Sequence, residues 1–190
     1  MFRILKTFFL FLILIFSFIS CQEQQSTDSV EVNPLNKEGV VQWATGSGNY
    51  ELEPGELRVF THNAQKKENG SVTGHFMLNN HLTDVHVSGS VICFNIIGNE
   101  AFFGGVIENS NYTNPAYPLL WQPGTCVYFS TVDNGEGGST VDMISLTFNG
   151  VGEIPFTQED VMGFCEDPTT CPWYSYPKRE IQSGNIQIAP

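Results

Sequence analysis

Asp84-Val85-His86-Val87-Ser88-Gly89-Ser90-Val91-Ile92-Cys93-Phe94-Asn95-Ile96-Ile97, then Gly98-Asn99, then Glu100-Ala101-Phe102-Phe103-Gly104-Gly105-Val106-Ile107-Glu108 is the stretch that decides the fold. Two runs rich in Val, Ile and Phe flank a glycine-led dipeptide. β-Branched and aromatic side chains suit the pleated, half-buried surface of a strand. A two-residue turn carrying glycine matches the twist of an antiparallel pair. The spacing therefore predicts a hairpin with strands at 84–97 and 100–108. Asn69-Gly70 marks a second hairpin, joining strands at 56–67 and 71–80.

Outward from these hairpins the same pattern continues. Further strands are expected at 40–50, 125–133, 142–150 and 184–188, with Gly or Asn between the apolar runs. Sustained helical periodicity is missing. The one helix start is Thr157, a capping residue followed three positions later by Asp160. The expected fold is all-β: an antiparallel meander of about eight strands. A closed, lipocalin-like β-barrel is favoured over a β-sandwich, because an open sheet leaves its edges unpaired. In that barrel, the strand Gly184-Asn185-Ile186-Gln187-Ile188 closes near the first strand.

The N-terminus has a different logic. Arg3 and Lys6 precede an apolar run from Thr7 to Ile19, and Gln22-Glu23-Gln24-Gln25 follows Cys21. A run this short reads as the h-region of a signal peptide rather than a membrane span. Phe18-Ile19-Ser20-Cys21 resembles the lipobox of bacterial lipoproteins, although Phe18 departs from the aliphatic residue usual there. The resemblance implies that residues 1–20 are removed and that Cys21 is acylated (palmitate being one such chain). The protein would then be held in the cell envelope, most naturally at an outer membrane, on its periplasmic face or at the cell surface. More than one acyl chain would make that attachment effectively permanent. Residues 21–39 are polar and read as a flexible tether, leaving 40–190 as a single β domain. Asp28-Ser29-Val30 within the tether resembles a short bacterial O-glycosylation motif.

The whole chain of 190 residues carries eight basic and 20 acidic side chains, a formal charge of −12. Removal of Arg3 and Lys6 with the signal leaves six basic against 20 acidic residues, or −14. Such a chain lacks the clustered cations that phosphate binding needs, so nucleic acid is not expected as a partner. Five cysteines are present. With Cys21 assigned to lipid, the remaining even number in an exported chain reads as a disulfide framework. Cys165 and Cys171 flank a short turn-prone loop and are expected to pair, which leaves Cys93 to bond Cys126. A zinc site is disfavoured by the lack of a Cys-x-x-Cys pair.

Three candidate sites stand out. The loop Asp133-Asn134-Gly135-Glu136-Gly137-Gly138-Ser139-Thr140-Val141-Asp142 offers oxygens from Asp133, Glu136 and Asp142 on an adaptable backbone. Ca²⁺ takes six to eight such ligands, and the ordinary alternative is a solvated loop; no other cofactor is implied. A two-residue turn at Asn69-Gly70 would make His62 and His75 diagonal neighbours on one face, beside Phe60. The third candidate is a pair of aromatic, proline-rich loops, with Tyr117 and Trp121 in one and Trp173, Tyr174 and Tyr176 in the other. Trp and Tyr stack on sugars or anchor protein partners, or they simply plug the end of a barrel.

Sequence signatures of catalysis are missing: there is no nucleophile elbow, zinc-protease helix or phosphate-cradling loop. Asn109 to Leu146, the Gly98-Asn99-Glu100-Ala101 turn and the Gly184-Asn185-Ile186-Gln187 ending together resemble a group of small secreted bacterial β-proteins of unassigned function. That resemblance implies no catalytic residues. The leading expectation is a non-enzymatic envelope lipoprotein, whose β domain binds a small molecule, a glycan or a protein. A structural or surface-interaction lipoprotein comes second, and a hydrolase or isomerase on a β-barrel third.

Overall fold

The computed structural model describes residues 39–135 and 141–190. The expected signal segment (residues 1–20), Cys21, Asp28-Ser29-Val30 and Glu136 lie outside the described residues. Six long strands come first: β1 (Val40–Glu51), β2 (Leu57–Lys67), β3 (Val72–Asn80), β4 (Val85–Ile97), β5 (Glu100–Ser110) and β6 (Cys126–Val132). Short elements follow: β7 (Met143–Ile144), β8 (Gly150–Val151), β9 (Ile154–Pro155), helix α1 (Gln158–Glu166), a 3-10 turn (Pro168–Thr170), β10 (Arg179–Glu180) and β11 (Ser183–Ala189). Nine strands form one antiparallel sheet in the order β10-β7-β6-β5-β4-β3-β2-β1-β11, while β8 and β9 make a small separate hairpin.

The all-β meander is therefore present, and β11 does lie against β1. The sheet curls, but its ladder stops at β10 on one side and β11 on the other, so it is not a closed barrel. Side chains meet the outer edge of β11 instead. Asp142 Oδ2 accepts from the Ile186 amide at 2.9 Å, and Asp133 Oδ2 accepts from the Ile188 amide at 3.1 Å. Their other oxygens accept from Asn134 and Gly135. The expected strand at 142–150 is broken because Ser145 intervenes. Its hydroxyl takes the Ser130 amide at 2.8 Å, a place that a strand carbonyl would otherwise fill.

The concave face holds the core. Phe60, Phe76, Phe94, Phe103 and Phe129 fill it, with Phe103 and Phe129 stacked at 4.8 Å. Aromatic rings of this size contribute most of the burial in a small domain. Ile92 is skipped between the pairs Val91↔Gly105 and Cys93↔Gly104, a bulge that flips the alternation along β4. Val91 and Phe94 therefore both face inward, and Cys93 is turned to the convex face.

A second apolar cluster forms on that convex face, where α1 covers β4–β6 through Phe102, Tyr128, Val161 and Phe164. The Thr157–Asp160 capping box that starts α1 is present, with the Asp160 amide donating to Thr157 Oγ1 at 3.1 Å. Cys93 meets Cys165 of α1 here, with Cα atoms 6.1 Å apart, and the two form a disulfide. Gly104 makes this approach possible, because a Cβ there would collide with Cys93 Sγ.

This bond corrects both expected pairings. Cys93 lies opposite Gly104 on β5, and Cys126 is on β6 beyond it. Two strand spacings of about 4.8 Å and a two-residue offset along β6 put them roughly 12 Å apart, outside disulfide reach. Cys165 is taken by Cys93, so Cys171 stays a thiol, as does Cys126. Both are buried, and burial pushes their thiols above the usual range.

The Asn69-Gly70 turn also differs from its expected form. Gly70 adopts φ +79°, and its amide donates to Lys67 while Lys67 donates to Ser71. The loop thus has three residues and ends in a left-handed glycine. That shifts the register by one, so His62 pairs Phe76 and Asn63 pairs His75. A shift of one residue exchanges faces. His62 goes into the core, His75 goes to solvent, and the expected histidine pair does not form.

Candidate functional site

The strongest site is a cleft of about 320 Å³. Its walls come from the end of β1, the start of β2, the end of β3 and the start of β4, together with the loop after β5. Pockets that hold small molecules run from about 300 to 1,000 Å³, so this one suits a small ligand. One wall is apolar: Leu78, Val85, Val87, Tyr112 and Trp121. The remainder is polar and comes from Tyr50, Glu56, Arg58, Asn79, Asn80, Thr83 and Thr147.

Segment 111–125 is held in place by side-chain amides. Asn111 Oδ1 accepts from the His86 amide, Asn111 Nδ2 donates to the Asp84 carbonyl, and Gln122 Nε2 donates to the Tyr112 carbonyl. Within this frame Trp121 takes φ +59° and packs its ring against the core. Left-handed backbone at a non-glycine residue costs about 1–2 kcal/mol. The surrounding bonds hold the indole in the cleft wall despite that cost, as often happens where a side chain is positioned for a task.

Glu56 organises the polar side. Its Oε1 accepts from Arg58 Nη2 at 2.6 Å, from Arg58 Nε at 3.2 Å and from Asn80 Nδ2 at 3.0 Å. Arg58 retains further N–H groups, since a guanidinium carries five. The Tyr50 hydroxyl lies beside it; burial pushes this phenol up, and the cations of Arg58 and Arg179 oppose that shift. Arg179 sits opposite Ile144, a residue of the interior cluster, so it faces inward too. These are the only arginines among the described residues. Thr147 Oγ1 is buried with no hydrogen-bond partner in the protein, as is Arg179 Nε, which lies outside the lining. Thr147 is 6% exposed and lines the cleft. A buried polar group without a partner costs about 1–3 kcal/mol.

Among the residues expected from sequence, Trp121 reaches this cleft. Tyr117 is exposed on the same loop and is not part of the lining. Trp173 and Tyr176 pack instead on Phe148, at 5.5 and 5.6 Å between ring centroids. Tyr174 lies by Phe102 and is 43% exposed. These three belong to the convex face, away from the cleft. The carboxylates of Asp133 and Asp142 are engaged by backbone amides, as described above. No group of three or more His, Cys, Asp or Glu side chains converges among the described residues. His62 is in the core, stacked on Phe60 at 5.6 Å and edge-on to Phe103 at 4.7 Å. Burial holds its pKa down to about 3, so the ring is neutral. Tyr50, Arg58 and Thr147 carried no sequence signal, because Thr147 is remote in the chain from the other two and none of the three belongs to a recognisable motif.

Comparison with protein-family models, curated proteins and solved structures finds no match to this chain.

Proposed function

We propose that this protein is a lipid-anchored, non-enzymatic component of a bacterial cell envelope, and that its β domain is a binding module for a small molecule. The cleft beside Trp121 is the binding site. The observation that carries this reading is the buried Thr147 hydroxyl, which lines a cavity of about 320 Å³ and has no partner in the protein. A bound ligand would supply that partner and cover the apolar wall in the same step. In this reading the curled sheet works as a barrel, with Asp133 and Asp142 carrying the hydrogen bonds across its seam. The cleft is then the open mouth, and the packed phenylalanines are its floor.

The anchor is Cys21, acylated after cleavage behind Ser20, and residues 21–39 would tether the domain to an outer membrane. Palmitate labelling tests the anchor: label should enter the wild-type protein and be lost in Cys21→Ser. Thermal melting tests the module. A low-mass extract of the producing bacterium should raise the Tm of the purified protein. The same extract should leave a Leu78→Trp variant, whose indole fills the cleft, unshifted. Equal shifts in both proteins would place binding elsewhere and end the assignment to this cleft.

A further inference from the structure

Resting on the reading of this cleft as a binding site, we infer that its ligand is a small organic monoanion: a carboxylate head on an apolar body. The head would lie against Arg58, Tyr50 and Thr147, and the body would lie along Leu78, Val87 and Trp121.

The charge balance selects a monoanion. Arg58 and Arg179 bring two positive charges to the Tyr50 end of the interior, and Glu56 neutralises one through its contact with Arg58. Arg179 has no acidic partner among the described residues, and its Nε is buried without an acceptor. One positive charge is therefore left over in a chain that is otherwise strongly acidic. A doubly charged head would exceed it, and a neutral head would leave it uncompensated.

The donor set selects a carboxylate. The Arg58 guanidinium is planar and presents N–H groups in a fixed fork, which matches two coplanar oxygens. Glu56, itself held by Asn80, fixes that fork: its Oε1 takes Nε and Nη2, the Tyr50 hydroxyl takes a further N–H, and the N–H groups left over are those a ligand would meet beside Tyr50. The Tyr50 and Thr147 hydroxyls can each donate to an anion. Thr147 also explains why the head must be polar, since its oxygen is buried and unpartnered. The apolar wall, with Trp121 held in left-handed backbone, selects the body. The cavity volume keeps it small.

Isothermal titration calorimetry on the purified protein tests this with matched pairs: phenylacetate against phenylacetamide, and octanoate against octanamide. At least one acid should bind saturably, at least ten-fold more tightly than its amide. Arg58→Lys keeps a positive charge beside Glu56 and removes the fork, and should weaken acid binding about ten-fold. Thr147→Val should weaken it several-fold while raising the Tm of the ligand-free protein, because the unpartnered hydroxyl is gone. A purely structural role for Thr147 would lower the Tm. Amides binding as tightly as acids would overturn the anion inference and leave small-molecule binding standing. A weak ligand has a Kd of about 1 mM. If neither acid binds saturably at concentrations ten-fold above that value, the inference is overturned as well. The extract experiment above would then judge the binding site by itself.

Discussion

His62 gives the sharpest quantitative expectation. Its ring is stacked on Phe60 and walled by Phe103 and Phe129, and Gly46 leaves the space it occupies. A Cβ on residue 46 would stand 2.6 Å from His62 Cε1. Nδ1 is buried without a partner, and Nε2 lies 3.5 Å from Thr131 Oγ1. Desolvation penalises the charged ring and holds its pKa down to about 3. In the unfolded chain an imidazole titrates near about 6.5. Between these values the unfolded chain binds the proton and the folded chain does not. Stability is therefore full above about pH 6.5 and falls as the pH drops towards about 3. Integrating from pH 7 to pH 4.5 gives a loss of about 2.5 kcal/mol from this one residue. That figure is set by the unfolded pKa as long as the folded pKa lies below about 4.5.

The perturbation is His62→Phe, with His62→Leu as a second variant in case the larger ring crowds Gly46. Urea unfolding at both pH values, followed by tryptophan fluorescence, gives the difference directly. Carboxylate effects are common to all the proteins and cancel. The wild type should lose about 2.5 kcal/mol more than either variant on going from pH 7 to 4.5. Overpacking would lower the stability of a variant at both pH values equally. Identical pH dependence in wild type and both variants would refute the burial of a neutral His62.

Other expectations follow from the seam, the disulfide and the tight glycines. Asp142→Ala removes the acceptor of the Ile186 and Asn134 amides and should cost about 2–3 kcal/mol in urea unfolding; hydrogen exchange should rise at Ile186 before it rises at Phe103, and unchanged exchange there would remove the carboxylates from the seam. Peptide mapping without reduction should recover Cys93 linked to Cys165, with Cys126 and Cys171 alkylated only after unfolding; a peptide linking Cys165 to Cys171 would contradict the structure. Cys93→Ser opens a loop of 72 residues and should lower stability by about 4 kcal/mol in the chain-entropy model. Gly105→Ala places a Cβ 2.5 Å from Phe76 Cε1 and should cost about 1–3 kcal/mol, whereas a neutral result would mean that the core is looser there than described.

Much of the fold was legible because it is local. Apolar runs broken by Gly and Asn located the long strands to within a residue or two, and Thr157 with Asp160 marked the helix start. Features that depend on one extra residue were not legible. Asn69-Gly70 fits a two-residue turn and a three-residue turn equally well as a sequence, yet only the first puts His62 and His75 on one face. The bulge at Ile92 likewise decides which way Cys93 points, and so decides its partner. The site was legible only through Trp121, because long loops rich in aromatic residues attract notice. Arg58, Tyr50 and Thr147 meet in one cleft only after β1, β2 and the segment after β7 are brought together. Asp133 and Asp142 drew notice, with Glu136, as oxygens for a cation; their partners are backbone amides of the loop and of the β11 edge, and strand edges carry no mark in sequence.

The most direct test is native mass spectrometry of the protein isolated without denaturation from the cells that make it. The spectrum should show the mass of a processed, acylated chain plus a small-molecule adduct, and that adduct should be lost in Leu78→Trp and Thr147→Val. A chain that carries no adduct, or one that keeps the same adduct in both variants, would contradict the assignment of the Trp121 cleft as a binding site.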